Sequence, residues 1–238
     1  MLEIGAEDRV FVLTGAGVSA ESGLATFRAS DGLWEGHRVE DVCTPEAWDR
    51  NPGMVWAFYS ARREAAEKAV PNAGHRALAE LEKRLGDRFF LCTQNVYNLH
   101  ERAGSTPGRL VHMHGELFVS RCADECGRPP VVDHRLYPDF ASIGLCACGA
   151  LLRPHIVWFG ETPLEMDRIY AEIDRATVML VVGTSGAVYP AANFVEWARR
   201  KGARRVYVGP EAPLNASQFS EVVLGKAGET LPALLGEG

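Results

Sequence analysis

The chain has 238 residues, of which 47% are hydrophobic and 24% charged, and no apolar run approaches 18 residues. This composition predicts a soluble globular protein with a sizeable core, built as one large domain or as a domain with an insert. A net charge of −6 argues against a general nucleic-acid or membrane binder. Residues 1–8 are acidic and lack the pattern of a signal or transit peptide, so we expect a cytoplasmic protein. The sequence does not indicate an oligomeric state.

The first predicted element is a buried strand that turns into a helix. Val10-Phe-Val-Leu13 is a short apolar run, and Gly15 and Gly17 follow it. Glycines let the backbone approach a phosphate closely, and the positive end of a helix beginning near Val18 would point at the same place. The spacing Gly15-x-Gly17-x-x-Ala20 fits the dinucleotide-binding fingerprint. Because a βα turn of any α/β protein can look like this, the motif alone leaves nucleotide binding open.

Residues 31–69 interrupt this pattern. Thr44-Pro and Asn51-Pro are typical of helix starts, so we predict two helices here, the second reaching Lys68. A regular dinucleotide-binding domain would place a second strand with an acidic end about 20 residues past the glycines. No such strand is visible, so we interpret this stretch as a helical insertion.

Strand, polar tip and helix then recur along the chain. A helix begins at Asn72 and is ended by Gly86. Apolar runs predict strands at residues 88–93, 110–114, 156–159, 178–182 and 205–208, the last being the final strand. The pattern predicts an α/β fold with an open parallel sheet that binds its ligand at the carboxyl ends of the strands.

Four of the six cysteines lie close together in the sequence. They are Cys122, Cys126, Cys146 and Cys148. Their spacing is close to that of a zinc ribbon, although both pairs deviate from the usual two-residue gap. Residues 118–152 contain few apolar residues that could form a core. Four thiolates bound to a structural zinc ion would therefore stabilise the fold of this segment in place of hydrophobic burial. Four unlinked thiols in a loop-rich insert are the alternative. Cys43 and Cys92 are predicted to be buried thiols.

His112 and His114 lie two apart on a predicted strand, so both rings face one side. A metal pair is one interpretation, but no third ligand follows. His114 stands beside Gly115 at the carboxyl end of a strand, where the ligand should lie, and its pKa near neutrality suits a general base toward a sugar hydroxyl. Taken singly, each histidine is also compatible with a core or surface position.

Tyr59 and Arg62 lie three apart on a predicted helix and therefore share a face. A phenol and a guanidinium on one face make a carboxylate receptor. The alternative is a half-buried tyrosine beside a solvated arginine.

Together these motifs resemble those of the sirtuin family. The matching stretches, in family order and over nearly the whole chain, are Gly15-Ala-Gly-Val-Ser19, Glu21-Ser-Gly, Thr26-Phe-Arg28, Thr93-Gln-Asn95, His114-Gly115, the four cysteines, Phe159-Gly-Glu161 and Gly183-Thr-Ser185. A closer resemblance is to the bacterial class III protein deacylases. It is carried by Gly32-Leu-Trp34, His37-Arg-Val-Glu-Asp41, Tyr59-x-x-Arg62 and Arg153-Pro-His-Ile-Val-Trp-Phe-Gly-Glu161.

The resemblance implies a Rossmann-like NAD-binding domain formed by residues 1–30, 70–117 and 153–238, and a smaller helical and zinc module formed by residues 31–69 and 118–152. It implies an NAD-dependent protein-lysine deacylase that acts on acetyl-, succinyl- or malonyl-lysine. The products would be free lysine, nicotinamide and O-acyl-ADP-ribose. The cofactors would be NAD and zinc, and the partners acylated proteins or peptides.

The resemblance also implies roles for individual residues. His114 matches the base that deprotonates a ribose hydroxyl, and Asn95 helps to hold the ribose and a water network. Tyr59 and Arg62 match the pair that binds the distal carboxylate of succinyl- or malonyl-lysine. The acyl-lysine backbone would pair with a segment that includes Val157, Phe159, Gly160 and Glu161. The cofactor-binding residues implied are Gly15, Ala16, Gly17, Ser19, Glu21, Thr26, Phe27, Arg28, Gln94, Asn95, Val96, Gly183, Thr184, Ser185, Gly209, Pro210, Glu211 and Ala227.

The chain departs from the family pattern at four positions. Tyr97 stands where the family has an aspartate that helps to bind the nicotinamide carboxamide. Gly209 stands where an asparagine is usual. Ala25 replaces a usual proline, and Asn193 replaces a usual glycine. Because a phenol is larger and supplies no carboxylate, Tyr97 is predicted to hinder catalysis. Two alternative functions follow. One is an NAD glycohydrolase or ADP-ribosyltransferase, and the other is a module that binds NAD or ADP-ribose with weak turnover.

Overall fold

A computed structural model gives the structure of residues 1–24, 33–34, 37–186 and 188–236. The predictions that concern Ala25, Thr26, Phe27, Arg28 and Gly32 lie outside these residues. In this part of the chain, no helix is long and apolar enough to cross a membrane.

The strands and helices of these residues follow in chain order. The strands are β1 (Val10–Thr14), β2 (Leu33–Trp34), β3 (His37–Arg38), β4 (Phe89–Thr93), β5 (Leu110–His112), β6 (Gly115–Cys122), β7 (Val131–Val132), β8 (Leu152–Ile156), β9 (Val178–Val182), β10 (Arg204–Gly209) and β11 (Glu221–Leu224). The α-helices are α1 (Val39–Val42), α2 (Pro45–Arg50), α3 (Pro52–Lys68), α4 (Ala73–Leu85), α5 (Leu99–Ala103), α6 (Met166–Arg175), α7 (Ala191–Arg200) and α8 (Ala227–Leu235). Short 3-10 helices lie at Ala16–Ser22, Gly86–Arg88, Pro107–Arg109, Phe140–Ser142 and Ala216–Gln218.

Six strands form one sheet in the order β11-β10-β9-β1-β4-β5. Every neighbouring pair is parallel. β1 lies between β4 and β9, with Val10 opposite Phe89 and Val178. The predicted α/β fold with an open parallel sheet is confirmed. All six carboxyl ends therefore meet at one edge of the sheet, where such folds bind ligands.

Helices cover both faces of this sheet. Val10 and Val12 of β1 pack with α4 and α8 in one apolar cluster. Phe11 and Leu13 pack with α6 and α7 in another. A parallel strand buried on both faces is a continuous apolar run rather than an alternating one, which is why β1 was visible in the sequence.

A second part of the molecule, residues 37–69 and 115–156, is called the insert region below. It joins α1, α2 and α3 to a three-stranded antiparallel sheet of order β7-β6-β8. Trp56 of α3 packs with Leu117 of β6 and with Tyr137 in a third apolar cluster. The fully buried Arg63 of α3 donates hydrogen bonds to the carbonyl oxygens of Leu117 and Arg135. The helical segment and the cysteine-bearing segment, far apart in sequence, thus share one core.

The predicted helix starts are confirmed at atomic detail. Thr44 Oγ1 accepts a hydrogen bond from the Ala47 amide at 3.1 Å, and Asn51 Oδ1 accepts one from Met54 at 3.0 Å. Each cap satisfies a backbone donor that has no partner within its own helix. Gly86 ends α4 with φ of 57°, a conformation that favours glycine.

Three predictions about regular structure are wrong in detail. The apolar run at 156–159 is not a strand, because β8 ends at Ile156 and pairs antiparallel with β6; the run instead marks the burial of Trp158. The strand at 204–209 is not the last one, since the half-exposed edge strand β11 follows it. The glycine turn leads into a 3-10 helix at Ala16–Ser22, not into an α-helix near Val18. A helix dipole therefore contributes less positive charge at this turn than the sequence suggested.

Candidate active site

Polar groups meet where three neighbouring parallel strands end. β1 is followed by Gly15, β4 by Gln94 and Asn95, and β9 by Gly183 and Thr184. Asn95 Nδ2 donates to the Gly15 carbonyl at 3.1 Å, and Gln94 Nε2 donates to Thr184 Oγ1 at 3.2 Å. Amide and hydroxyl groups beside a glycine turn are suited to the hydroxyls and phosphates of a nucleotide. The donor set at this edge fits a dinucleotide.

His114 lies in the turn between β5 and β6, at the same edge. Its Nδ1 is 3.1 Å from the Gln94 carbonyl oxygen. Because a carbonyl only accepts, this contact assigns the ring hydrogen to Nδ1 and leaves Nε2 as the basic atom. Burial lowers the pKa of His114 below its ordinary value, although the Gln94 carbonyl acts in the opposite sense. The imidazole is therefore neutral near pH 7, as a general base requires.

The glycines of the fingerprint bring two strand ends into contact. A Cβ on Gly15 would lie 2.7 Å from the Gly183 carbonyl oxygen, and one on Gly17 would lie 2.8 Å from Gly183 Cα. Gly183 itself has φ of 62°. Close backbone packing between the ends of β1 and β9 thus requires small residues here, independently of any ligand.

The other predicted cofactor residues lie in different environments. Ser19 is buried, and its hydroxyl lies 3.0 Å from His75 Nε2. The Glu21 carboxylate accepts a hydrogen bond from the Gly228 amide at 2.7 Å, at the start of α8 beside Ala227. The remaining members surround the same edge or follow β10. They are the half-buried Ala16, the buried Val96, the exposed Ser185, Pro210 and Glu211, and Gly209 at the end of β10.

His112 has a position that the sequence did not reveal. Its Nδ1 lies 2.7 Å from the Asn95 carbonyl oxygen, and its Nε2 lies 2.7 Å from Glu101 Oε1. Burial by itself would lower the pKa of His112, but the hydrogen bond and charge of Glu101 outweigh it and raise this pKa. Both ring nitrogens are hydrogen-bonded, so the ring holds the backbone of Asn95 and does not pair with His114 on a metal. The nearby cluster with potential ligand atoms is Glu101, His112 and Glu116, without His114.

Tyr59 and Arg62 are both buried, at 0% and 6% exposure. The alternative of a solvated arginine is therefore wrong. Tyr59 Oη lies 3.5 Å from Cys43 Sγ, and Trp158 Nε1 donates to it at 3.2 Å. Burial raises the pKa of Tyr59 well above its ordinary value, while the positive charge of Arg62 acts against this. The pair thus combines a neutral phenol and a nearby cation in the interior of the insert region.

Residues 157–161 connect the base to the insert region. The Val157 amide donates to the His114 carbonyl at 2.9 Å, and the Phe159 amide donates to the Cys43 carbonyl at 3.0 Å. Gly160 has φ of 93°, and Glu161 accepts hydrogen bonds from the Arg153 guanidinium at 2.8 and 3.0 Å. The Glu161 carboxylate is therefore already paired with a cation of the protein.

The four clustered cysteines converge in space. Their sulfur atoms all lie within 4.8 Å of one another. Cys122 Sγ is 3.5 Å from Cys148 Sγ, and Cys126 Sγ is 3.7 Å from Cys146 Sγ. A tetrahedron with Zn–S bonds of about 2.3 Å has sulfur–sulfur edges of about 3.8 Å. The cluster fits a zinc ion held by four thiolates, a structural arrangement because no position stays open for a substrate. Cys43 and Cys92 are buried, as predicted.

Comparison with known proteins identifies the family. The Sir2 family model matches residues 15–190. The chain belongs to the Sir2 family. An NAD-dependent protein deacylase of Escherichia coli K12 is 52% identical over 229 residues, which cover 94% of this chain and 80% of the relative. The solved structure of a Sir2 homologue–NAD complex has a TM-score of 0.86 at 40% identity and covers 98% of this chain and 90% of its own. A mutant Sir2 homologue in complex with 2′-O-acetyl ADP ribose has a TM-score of 0.85 at 39% identity, with coverages of 96% and 90%.

Two departures from the Sir2 pattern have physical correlates. A Cβ on Gly209 would lie 2.3 Å from Tyr207 Oη, so a larger residue fits only if Tyr207 moves. Tyr97 is 4% exposed, and burial raises its pKa to about 12. Its neutral phenol belongs to the same apolar cluster as Tyr59.

Proposed function

We propose that this Sir2 protein is an NAD-dependent protein-lysine deacylase that moves the acyl group to ADP-ribose and releases nicotinamide. The observation that carries the proposal is the convergence of His114, Asn95 and Gly15 at the ligand-binding edge of the parallel sheet. The name of the E. coli relative and the NAD and 2′-O-acetyl ADP ribose complexes of the two Sir2 homologues support it.

The residues at the strand ends have the chemistry that this reaction needs. When bound, NAD would supply an electrophilic ribose carbon for the acyl oxygen and nicotinamide as the leaving group. His114, neutral because of its burial, would take a proton from a ribose hydroxyl at Nε2 while Nδ1 stays on the Gln94 carbonyl. Asn95, fixed through the Gly15 carbonyl and through His112, would orient the ribose.

The NAD site in this proposal uses the residues implied by the family resemblance. They are Gly15, Ala16, Gly17, Ser19, Glu21, Gln94, Asn95, Val96, Gly183, Thr184, Ser185, Gly209, Pro210, Glu211 and Ala227, with Thr26, Phe27 and Arg28 from outside the described residues. The proposed NAD-binding domain is residues 1–30, 70–117 and 153–238. The six-stranded sheet lies within these ranges, while β6 and β8 continue across their borders into the insert region.

We propose further that the enzyme prefers acidic acyl groups on cytoplasmic proteins. Tyr59 and Arg62 supply a buried hydroxyl and a buried guanidinium on one helix, and both side chains pack against Phe58. A carboxylate that leaves water needs a charged, hydrogen-bonding partner, and such a pair discriminates strongly between succinyl or malonyl and acetyl groups. The peptide backbone would run along Val157, Phe159, Gly160 and Glu161, which adjoin both His114 and Cys43.

One assay tests the proposal. The protein is incubated with NAD and, separately, with succinyl-, malonyl- and acetyl-lysine peptides of one sequence, and free-lysine peptide and nicotinamide are both quantified. We expect equal amounts of the two products and a higher kcat/KM for the acidic acyl groups. Nicotinamide without free-lysine peptide would indicate a glycohydrolase, and neither product would indicate a binding module. The comparisons favour neither of these alternatives.

A further inference from the structure

Trp158 contacts Tyr59 directly. Its side chain is 2% exposed, and its Nε1 lies 3.2 Å from Tyr59 Oη. The indole ring packs against the ring of Trp48, with centroids 5.9 Å apart, and the Arg153 guanidinium lies 3.4 Å from its centroid. These contacts hold the indole N–H of Trp158 within hydrogen-bonding distance of the Tyr59 oxygen.

The direction of this hydrogen bond determines what Tyr59 can do. An indole N–H only donates, so the Tyr59 oxygen must accept, and its own hydrogen must point elsewhere. The hydrogen points at Cys43 Sγ, 3.5 Å away. Burial raises the pKa of Tyr59 well above its ordinary value and the pKa of Cys43 to about 11. Both groups therefore stay neutral, and the phenol keeps its hydrogen.

The present acceptor of that hydrogen is weak. A neutral thiol sulfur accepts hydrogen bonds poorly, whereas a carboxylate accepts strongly and at short range. The Arg62 guanidinium lies 5.7 Å from the centroid of the Phe58 ring, which packs edge-on against the Tyr59 ring with centroids 5.1 Å apart, so it is in the neighbourhood of the phenol. An anion attracted by Arg62 would compete with the Cys43 sulfur for the phenol hydrogen. A donor already bound to the phenol oxygen polarises the O–H bond and strengthens the new contact.

The segment that carries Trp158 is fixed at several points. The Trp158 amide donates to Glu161 Oε2 at 2.7 Å, and Glu161 is in turn held by Arg153. On either side, the Val157 amide binds the His114 carbonyl and the Phe159 amide binds the Cys43 carbonyl. The indole therefore has a defined place relative to both the base and the thiol.

We propose that Trp158 is a positioning residue for acyl-group selection, because its indole N–H binds the Tyr59 oxygen and so aims the Tyr59 hydrogen at the carboxylate of an acidic acyl group. The inference rests on the proposed deacylase function and adds a third member to the acyl-carboxylate receptor. Trp158 acts through Tyr59 and does not itself contact the carboxylate.

The variant Trp158→Phe tests this inference, because it keeps an aromatic ring and removes only the N–H and part of the ring. We expect KM for a succinyl-lysine peptide to rise about tenfold, the loss of one good hydrogen bond. The kcat on that peptide, and both KM and kcat on the matched acetyl-lysine peptide, should stay within about twofold. Equal losses on the two peptides would mean that Trp158 is only structural.

Two further variants serve as controls. Trp56→Phe removes another buried indole N–H, which donates to the Leu152 carbonyl at 2.8 Å outside the receptor, and should leave the succinyl-to-acetyl ratio unchanged. In a Tyr59→Phe background, Trp158→Phe should cause no additional loss of succinyl preference. An additional loss there would contradict action through Tyr59.

A measurement on the unaltered protein keeps the inference testable if Trp158→Phe does not fold. The chain has five tryptophans, so its 15N-indole spectrum is simple. With ADP-ribose present, one indole N–H resonance should move markedly further when a succinyl-lysine peptide is added than when the matched acetyl-lysine peptide is added. The same response to both peptides would overturn the inference. An enzyme that deacylates neither peptide would instead refute the proposed function.

Discussion

The six-stranded sheet and the insert region are stabilised in different ways. The sheet is sandwiched between two apolar clusters, in which strand residues such as Val12 and Leu13 contact helices on opposite faces. The insert region has one apolar cluster of its own, a buried arginine that ties α3 to β6, and a group of four converging cysteines. The sheet thus has an apolar core on each face, whereas the insert region has a single core supplemented by buried polar contacts and by a cysteine cluster that fits zinc.

The two regions also contribute different parts of the proposed function. The sheet supplies His114, Asn95 and the glycine turn, which would act on every acyl substrate. The insert region supplies Tyr59 and Arg62, which would act only on substrates with a distal carboxylate. Turnover of all acyl peptides and preference for acidic acyl groups should therefore respond separately to substitution.

The largest expected effect is that of zinc removal. We expect about one zinc per chain, and loss of that zinc after chelation or in Cys126→Ser. Because a structural zinc site contributes on the order of 10 kcal/mol to folding, residues 123–151 should then become sensitive to proteolysis. The sheet should persist, as judged by retained helix and strand circular dichroism.

Cys92→Ala is the matched control for this experiment. Cys92 is a fully buried thiol in β4, away from the cluster, so its loss should leave the zinc content unchanged. A protein without zinc whose cysteine segment resists proteolysis would contradict the comparison between the two regions.

The next effect concerns the base. His114→Ala should reduce turnover of all acyl peptides by roughly 10²- to 10⁴-fold, the usual contribution of general acid–base catalysis, at unchanged thermal stability. The partly exposed His134→Ala serves as its control. A loss confined to succinyl-lysine would mean that His114 acts in selectivity and not in the reaction itself.

The pH profile of the unaltered enzyme tests the same residue. Because the pKa of His114 is lowered by burial, the neutral base persists below the ordinary histidine pKa of 6.5. The kcat/KM should therefore be flat through neutral pH and fall only in more acidic solution, as the ring becomes protonated. An acidic limb centred above 6.5 would be incompatible with this assignment.

A third effect separates selectivity from chemistry. Arg62→Met keeps a long apolar side chain and removes the cation, so it should lower kcat/KM for succinyl-lysine by roughly 10- to 100-fold, as expected for a charge-assisted hydrogen bond. Turnover of acetyl-lysine should change by less than about threefold. Comparable losses on both peptides would reject the receptor role.

The smallest effect concerns Tyr97, which lies where the two regions meet. Tyr97→Asp removes the bulk of the buried phenol and supplies a carboxylate, so we expect activity to rise about tenfold, or about 1.4 kcal/mol. Tyr97→Phe keeps the bulk and should show no such rise. Unchanged activity in the aspartate variant would mean that Tyr97 does not hinder catalysis.

The sequence predicted the elements that burial makes visible. β1, β4 and β9 are continuous apolar runs because both faces of the sheet are covered, and Thr44 and Asn51 are local caps. The edge strand β11 was missed because its apolar run, Val222 to Leu224, is only three residues long and mostly exposed. The apolar run at 156–159 was misread because one buried tryptophan in an irregular segment looks like a strand.

The sequence predicted only those site residues that belong to local sequence motifs. His114, Asn95 and the cysteines lie in recognisable spacings. The contacts of His112 with the Asn95 carbonyl and of Trp158 with Tyr59 join residues 17 and 99 positions apart. No local pattern encodes such contacts, because they arise only when distant segments pack together.

The central claim is that the residues at the sheet edge couple NAD cleavage to removal of a lysine acyl group. The most direct test is the molar ratio of nicotinamide to free-lysine peptide in a single reaction with a succinyl-lysine peptide, for the unaltered protein and for His114→Ala. We predict a ratio of one for the unaltered protein and a loss of free-lysine peptide in the variant. Nicotinamide formed in large excess over free lysine, or undiminished free lysine in His114→Ala, would contradict the account.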